Sequence, residues 1–226
     1  METIEKLVRE RHSVRRYKSD KIEEEKIIRL NSLINEINEK TGSNIQLVLN
    51  NSKCFDDFVF SYGWIINCKN YIALVGKKSR KLKEEMGYYG EMLVLKLMEM
   101  GLNSCWVAGS YNKKSVNVNF RENDELVCII ALGYGENNGS DHRKKSFEQV
   151  CNSTEYPDWF KKGVEFSLLA PTALNQQKFK FTYLGENNVK LKAGIGPYVK
   201  IDLGIVKYHF ELGANLIQKI DINWVK

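Results

Sequence analysis

The stretch EEMGYYGEMLVLKLMEM, residues 84–100, sets the tightest limit on what this 226-residue chain can become. It carries apolar side chains on most faces of a helix and is closed by Gly101. A surface helix keeps one broad polar face; this one has none, so it needs neighbours on most sides and reads as a central, buried helix. A second buried helix is expected in VKIDLGIVKYHFELGANLIQ, residues 199–218. Setting Gly87 against Gly204 brings MGYYGEMLVLKLMEMGL beside LGIVKYHFELGANLIQK. Helix, loop and strand precede the central helix in both parts of the chain, which points to an internal duplication.

The remaining segments fit around those two helices. METIEKLVRE places Ile4, Leu7 and Val8 on one helical face, and RHSVRRY (11–17) breaks it with a cationic loop. From Asp20 a helix recurs through Ile27, Leu30, Ile34 and Ile37, capped by Ser19 or Asp20 and stopped at Thr41-Gly42. NIQLVLNN, KNYIALVG and ELVCIIALGYG read as strands, and SCWVAGS (104–110) as a loop. GENNGSDHRKK (135–145) is the expected boundary, giving a first half over 1–150 and a reduced second half over 151–226. In the second half PDWFKKGVEFSLLA reads as a helix starting at Pro157. APTALNQQ then reads as a loop, KFKFTYLG as a strand and GENNVKLKAGIGPY as a hairpin region.

Charge and cysteine content exclude several classes of function. Lys plus Arg exceed Asp plus Glu by 34 to 28, but the cations are scattered and locally balanced, so no nucleic-acid stripe forms. HRKKS at 142–146 is the one dense block and reads as a solvated loop. Five cysteines, an odd number without a CxxC pair, and three histidines far apart in sequence argue against zinc. No apolar run is long enough to span a membrane, so no membrane partner is expected and a reduced cytoplasmic setting is.

Two stretches carry chemistry. In RHSVRRY, Arg11, Ser13 and Arg15 alternate, so an extended backbone points them the same way. Two guanidiniums and a hydroxyl on one edge suit a phosphate. In APTALNQQKF, a proline, a hydroxyl and a row of amides lie between apolar segments, chemistry suited to a flat polar group.

On these residues the chain resembles the FMN-dependent nitroreductase-like flavoproteins. That family opens with a short helix and an R-x-S-x-R/K segment followed by an aromatic, which Arg11, His12, Ser13, Arg15 and Tyr17 match. GLNSCWVAG is similar to the family's GLGSCWIGG, and Gly87 and Gly101 match the glycines framing its central helix. CIIALGYG and RKKSFEQV resemble the final core strand and the basic segment after it, and APTALNQQKFKF resembles APSAxNxQPWxF. The departure is positional. The family's proline–amide loop follows its first long helix, where this chain has INEKTGSNIQ, and here the loop comes in the second half.

The resemblance implies an α+β nitroreductase-like fold, antiparallel-centred sheets flanked by helices, in two related halves. In the family two subunits build each flavin site, so the displaced loop implies a single-chain pseudo-dimer with one FMN site, expected to be a monomer rather than an obligate homodimer. Arg11, Ser13 and Arg15, with His12 as spacer or lesser contact, would hold the phosphate. Pro171, Thr172, Ala173 and Asn175 would line the ring, and Val107, Ala108 and Gly109 would press backbone against it. Arg143 or Lys144 would set a cation near its polar edge. The implied reaction takes hydride from NAD(P)H and reduces a nitroaromatic, quinone or flavin by a ping-pong mechanism, with no catalytic side chain required. A flavin-binding or cofactor-free interaction protein that lost turnover is the rival; a basic nucleic-acid binder is a weaker third. Trp64, Tyr88 and Tyr89 are candidates for the pocket border. Trp106 could stack near the flavin but reads first as core, and Cys105 and His209 read as core, Cys105 because no cationic neighbour is evident.

Overall fold

The computed structural model describes residues 3–56 and 65–225; Trp64 lies outside them. The chain divides into two compact units. One comprises residues 11–82 and 92–141, the other residues 1–10, 83–91 and 142–226.

The first unit is built on a four-stranded antiparallel sheet. Its strands are β1 (Gln46–Val48), β2 (Asn70–Lys77), β3 (Asn103–Val107) and β4 (Asp124–Gly133), in the order β1-β2-β4-β3. In β4 every residue from Val127 to Gly133 is buried, and β2 is buried from Tyr71 to Gly76. A strand exposed on one face alternates; continuous burial means both faces are covered, which is why CIIALG and YIALVG are apolar throughout. Complete burial of Ile129, Ile130 and Leu132 contributes about 1.5–3 kcal/mol for each side chain. The register of β2 against β4 shifts between Leu74 and Val75, an irregularity of the kind that bends a strand.

Helix α2 (Glu24–Thr41) buries Leu30, Ile34 and Ile37, three of the four positions expected on its face. It starts later than the sequence suggests, from Glu23 rather than Ser19 or Asp20, and ends at Gly42. SCWVAGS is not all loop. Ser104 to Val107 lie in β3, because Ser104, Cys105 and Trp106 pair with Leu132, Ala131 and Ile130 of β4. A short helix, α3 (Lys53–Asp56), buries Cys54 and Phe55.

The second unit holds α1 (Ile4–Glu10), the first half of α4 (Leu82–Glu99), α5 (Phe147–Val150), α6 (Asp158–Ser167), β5 (Phe179–Tyr183), β6 (Asn188–Ala193), α7 (Val199–Ile217) and β7 (Asn223–Val225). β5 and β6 pair antiparallel, and β7, which the sequence did not announce, adds to β6 in parallel. The core is aromatic. Phe181 stacks on Phe210 at 5.0 Å between centroids, with Trp159, Phe160 and Trp224 around them.

Within this unit α4 crosses α7 at glycines. A Cβ on Gly87 would stand 2.1 Å from the Ile201 carbonyl oxygen, and one on Gly204 would stand 1.9 Å from that of Glu84. The contact is reciprocal: the sequence spacing that carries Gly87 to Gly204 also carries Glu84 to Ile201. Each glycine therefore meets the counterpart of the residue its own counterpart meets, the pattern of an isologous contact. Beside the crossing, His209 and Glu91 are both fully buried and meet at 2.8 Å from Nε2 to Oε1. His209 Nδ1 faces the Phe166 carbonyl oxygen at 3.2 Å, where it can only donate. No helix among the described residues is long and apolar enough to cross a membrane.

Candidate functional site

In the first unit RHSVRRY runs extended along the end of the sheet. Ser13 bridges to Ser104 of β3 in parallel, the Val14 N–H donates to the Ser104 carbonyl at 3.0 Å, and Tyr17 bridges to Gly135. Val14 and Tyr17 turn into the core, and Tyr17 is almost wholly buried. That burial pushes its hydroxyl well above the usual range and anchors the segment.

Arg11, Ser13 and Arg15 all act electrostatically on one buried neighbour, the Cys105 thiol. That thiol is raised by burial, while Arg15, a hydrogen bond with Ser13, and Arg11 pull the other way. The cysteine therefore does have cationic neighbours, contrary to expectation, but desolvation outweighs them and the thiol stays protonated at neutral pH. Arg11 is buried, Ser13 half-buried and Arg15 exposed, so the guanidiniums sit at two depths along one edge. His12 packs against the turn at Gly139, where φ is +78° and a Cβ would come 2.5 Å from the histidine's own Cβ. Only glycine allows this turn to lie so close to the motif.

Val107 is buried at the end of β3. Ala108 is half-buried and Gly109 exposed in the bend that follows, and Trp106 is half-buried. Among the described residues no group of His, Cys, Asp and Glu gathers to hold a metal.

In the second unit the proline–amide loop is strained and heavily tied. Ala173–Asn175 form a single 3-10 turn in which Leu174 (φ 53°) and Asn175 (φ 50°) are left-handed, and Gln177 (φ 42°) follows. Left-handed backbone costs about 1–2 kcal/mol for each non-glycine residue, and persists only where surroundings enforce it. The enforcing bonds come from three directions. Gln177 is buried; its amide donates to the Leu168 carbonyl at 2.9 Å and accepts the Lys145 N–H at 2.7 Å, while its N–H donates to Thr172 Oγ1 at 3.1 Å. Lys145 Nζ donates to the Gln177 carbonyl at 2.7 Å. Asp202, in the first turn of α7, accepts the Ala173 N–H on one oxygen at 2.9 Å and the Gln176 amide on the other at 2.8 Å.

These bonds settle which loop groups remain outward. The Ala173 N–H is committed to Asp202, and Asn175 Nδ2 gives one hydrogen to the Arg143 carbonyl at 2.7 Å. Thr172 Oγ1 accepts, which leaves its own O–H to donate, and Asn175 keeps its Oδ1 and a second amide hydrogen. Pro171 is half-buried and Leu174 is 71% exposed. Arg143 meets the loop through its backbone, Lys144 has an exposed side chain, and Lys145 is the basic residue whose side chain reaches the loop. Lys145, Gln177 and Asp202 escaped the sequence reading. For Gln177 the signal was present in the second amide of ALNQQ; for Asp202 there was none.

Tyr88 spends its hydroxyl on Glu211 at 2.5 Å, and its ring meets Tyr89 and Tyr208 edge-on. His209 is a core residue with polar partners on both nitrogens.

A family model described as "Putative TM nitroreductase" matches residues 3–214. Among solved structures, a "putative nitroreductase" from Thermotoga maritima is similar over 96% of this chain and 85% of its own, with TM-score 0.68 and 23% identity. A "Putative NADH dehydrogenase/NAD(P)H nitroreductase" from Bacteroides thetaiotaomicron is similar over 67% of this chain and 96% of its own (TM-score 0.52, 19% identity). A nitroreductase family protein from Streptococcus pneumoniae covers 66% and 98% (TM-score 0.52, 12% identity). At these identities the likeness is one of fold. No curated protein matches the chain.

Proposed function

The chain belongs to the "Putative TM nitroreductase" family, oxidoreductases of the nitroreductase fold, and from that premise we propose that it binds FMN and uses NAD(P)H to reduce an electron-poor small molecule. The carrying observation is the run of Arg11, Ser13 and Arg15 beside β3, where Ser13 bridges to Ser104 and all three residues act on the Cys105 thiol. This donor set fits a phosphate dianion: Arg15 is exposed to receive it, and Arg11 adds charge from a less hydrated position. Ser13 would donate to the phosphate or to the sugar-alcohol chain. Thr172 and Asn175 would present their remaining hydroxyl and amide groups to the ring's polar edge, with Pro171 and Ala173 beside them. Val107, Ala108 and Gly109 would supply backbone, and Arg143 or Lys144 an outlying cation.

When bound, FMN would take hydride from NAD(P)H and pass it to a nitroaromatic, quinone or flavin in a ping-pong cycle. The name of the Bacteroides relative, with its NADH and NAD(P)H, is consistent with that reductant. The chain's own part is to hold the phosphate, orient the ring and choose what stacks on it.

Assigning both residue sets to one flavin rests on the sequence resemblance, with the reciprocal glycine crossing in support of a single-chain pseudo-dimer. Protein purified natively, then saturated with FMN and desalted, should hold about one FMN per chain by absorbance and sediment as a monomer. Two FMN per chain would overturn the one-site reading. Failure to take up any would favour the cofactor-free interaction protein.

A further inference from the structure

We propose that Asp202 is a positioning residue for the proline–amide loop: one carboxylate holds the Ala173 N–H and the Gln176 side chain together and so fixes where Leu174 and Asn175 point. The inference rests on the flavin reading for its consequence, but the clamp itself stands on geometry. Asp202 is buried, 6% exposed, and its two oxygens accept from two different parts of the loop. Between those two bonded residues lies the left-handed pair Leu174 and Asn175.

Only a carboxylate meets this arrangement. Gln176 Nε2 also donates to the Pro197 carbonyl at 2.8 Å, so both of its hydrogens are spent and the amide cannot turn over without losing that bond. Its Oε1 lies where a Cβ on Gly196 would stand, 2.3 Å away, packed against the chain before α7. An asparagine at 202 would aim an NH2 group either at the Gln176 NH2 or at the Ala173 N–H, and in both orientations two donors face each other. Burial disfavours the charged form and pushes the carboxyl up to about 6, which a residue placed for packing alone would avoid. It remains ionised at neutral pH, so the charge is kept where its two hydrogen bonds are needed.

The test compares wild type with Asp202→Asn, a change of charge and donor pattern at nearly constant shape. The readouts are FMN dissociation constant, flavin absorption band, thermal midpoint of the apoprotein, and exchange of the Ala173 amide hydrogen in the apoprotein. The expected result is FMN binding at least tenfold weaker, a shifted flavin band and at least tenfold faster Ala173 exchange, with the midpoint within a few degrees of wild type. FMN affinity within twofold of wild type would overturn the proposal. So would weakened FMN binding that merely follows a collapsed thermal midpoint, provided Gln176→Met, which removes the amide shared by Asp202 and the Pro197 carbonyl, binds FMN as wild type does. If the two variants act through one clamp, the double variant should bind FMN no more weakly than Asp202→Asn alone. Wild-type protein that takes up no FMN would sink the flavin reading, and the exchange measurement would still decide the clamp: equal Ala173 exchange in both proteins refutes it.

Discussion

Replacing either glycine of the α4–α7 crossing by alanine should unseat the core of the second unit, and replacing both should cost little more than replacing one. An alanine Cβ at position 204 would stand 1.9 Å from the Glu84 carbonyl, and one at 87 would stand 2.1 Å from the Ile201 carbonyl. Ordinary contact begins near 3.4 Å, so the helices must part by about 1.3–1.5 Å. Overpacking of this kind costs about 1–3 kcal/mol. Parting the helices also stretches the buried 2.8 Å contact between His209 and Glu91, and a buried polar group left unsatisfied costs about 1–3 kcal/mol. Alanine returns roughly 1 kcal/mol of helix propensity. The net for Gly204→Ala or Gly87→Ala is about 3 kcal/mol, a fall of roughly 6–12 °C in Tm for a chain of this size. In the double variant the second methyl enters a gap the first has opened, so the two costs do not add. Urea unfolding of the apoproteins, followed by circular dichroism, measures all three. Single variants costing under about 1 kcal/mol, or a double variant equal to the sum of the singles, would refute the reciprocal crossing.

Other outcomes follow from the groups already described. Arg11→Ala with Arg15→Ala should release FMN during desalting while leaving the apoprotein Tm within a few degrees; unchanged retention removes the phosphate assignment. Asp202 is raised from 3.8 to about 6 in the folded chain, so between those values the folded state holds a proton that the unfolded state has lost. Its penalty on stability is therefore complete above pH 6 and fades as pH falls toward 4, by about 3 kcal/mol at ~1.4 kcal/mol per pH unit. The stability difference between Asp202→Asn and wild type should accordingly favour the variant more at pH 8 than at pH 4.5, and a pH-independent difference would contradict the burial argument. All five cysteines are buried thiols rather than disulfides, and burial lifts the Cys68 and Cys128 thiols to about 12. A thiol reagent should label none of them quickly in native protein at pH 7.5 and all five in denaturant; fast native labelling of Cys105 would mean that its arginines prevail over desolvation.

The parts of the fold that were legible in sequence are those whose burial is complete. The two apolar helices and the strands β2 and β4 carry apolar residues without alternation, and continuous burial leaves that trace in any sequence. β3 was misread because Ser104 and Cys105 look like loop residues; their burial comes from pairing with Leu132 and Ala131 nearly thirty positions on. The start of α2 was misplaced because Ser19 and Asp20 are better caps than Glu23, yet Glu23 makes no side-chain cap bond either. The short β7 carries too few residues for a periodic signal. In the candidate site, Arg11, Ser13 and Arg15 were visible because alternation is a local property. Asp202 was not, because an acid in the first turn of a helix is ordinary and its loop partners lie far back in the chain. The left-handed Leu174 could not be foreseen, since leucine is among the residues least expected there.

The buried His209–Glu91 contact makes α4 and α7 impossible to interchange. The spacing that relates the two glycines carries Glu91 to Tyr208 and Met92 to His209, so the polar pair exists once at the crossing and has no mirror image. Two copies of α4 brought together would present carboxylates with no imidazole. Two copies of α7 would present imidazoles with no carboxylate. Only unlike helices set the carboxyl beside the imidazole. A lineage that began by pairing like with like would, on acquiring this contact, have closed the way back: neither helix could any longer serve as its own partner, and the linked chain would become the heritable unit.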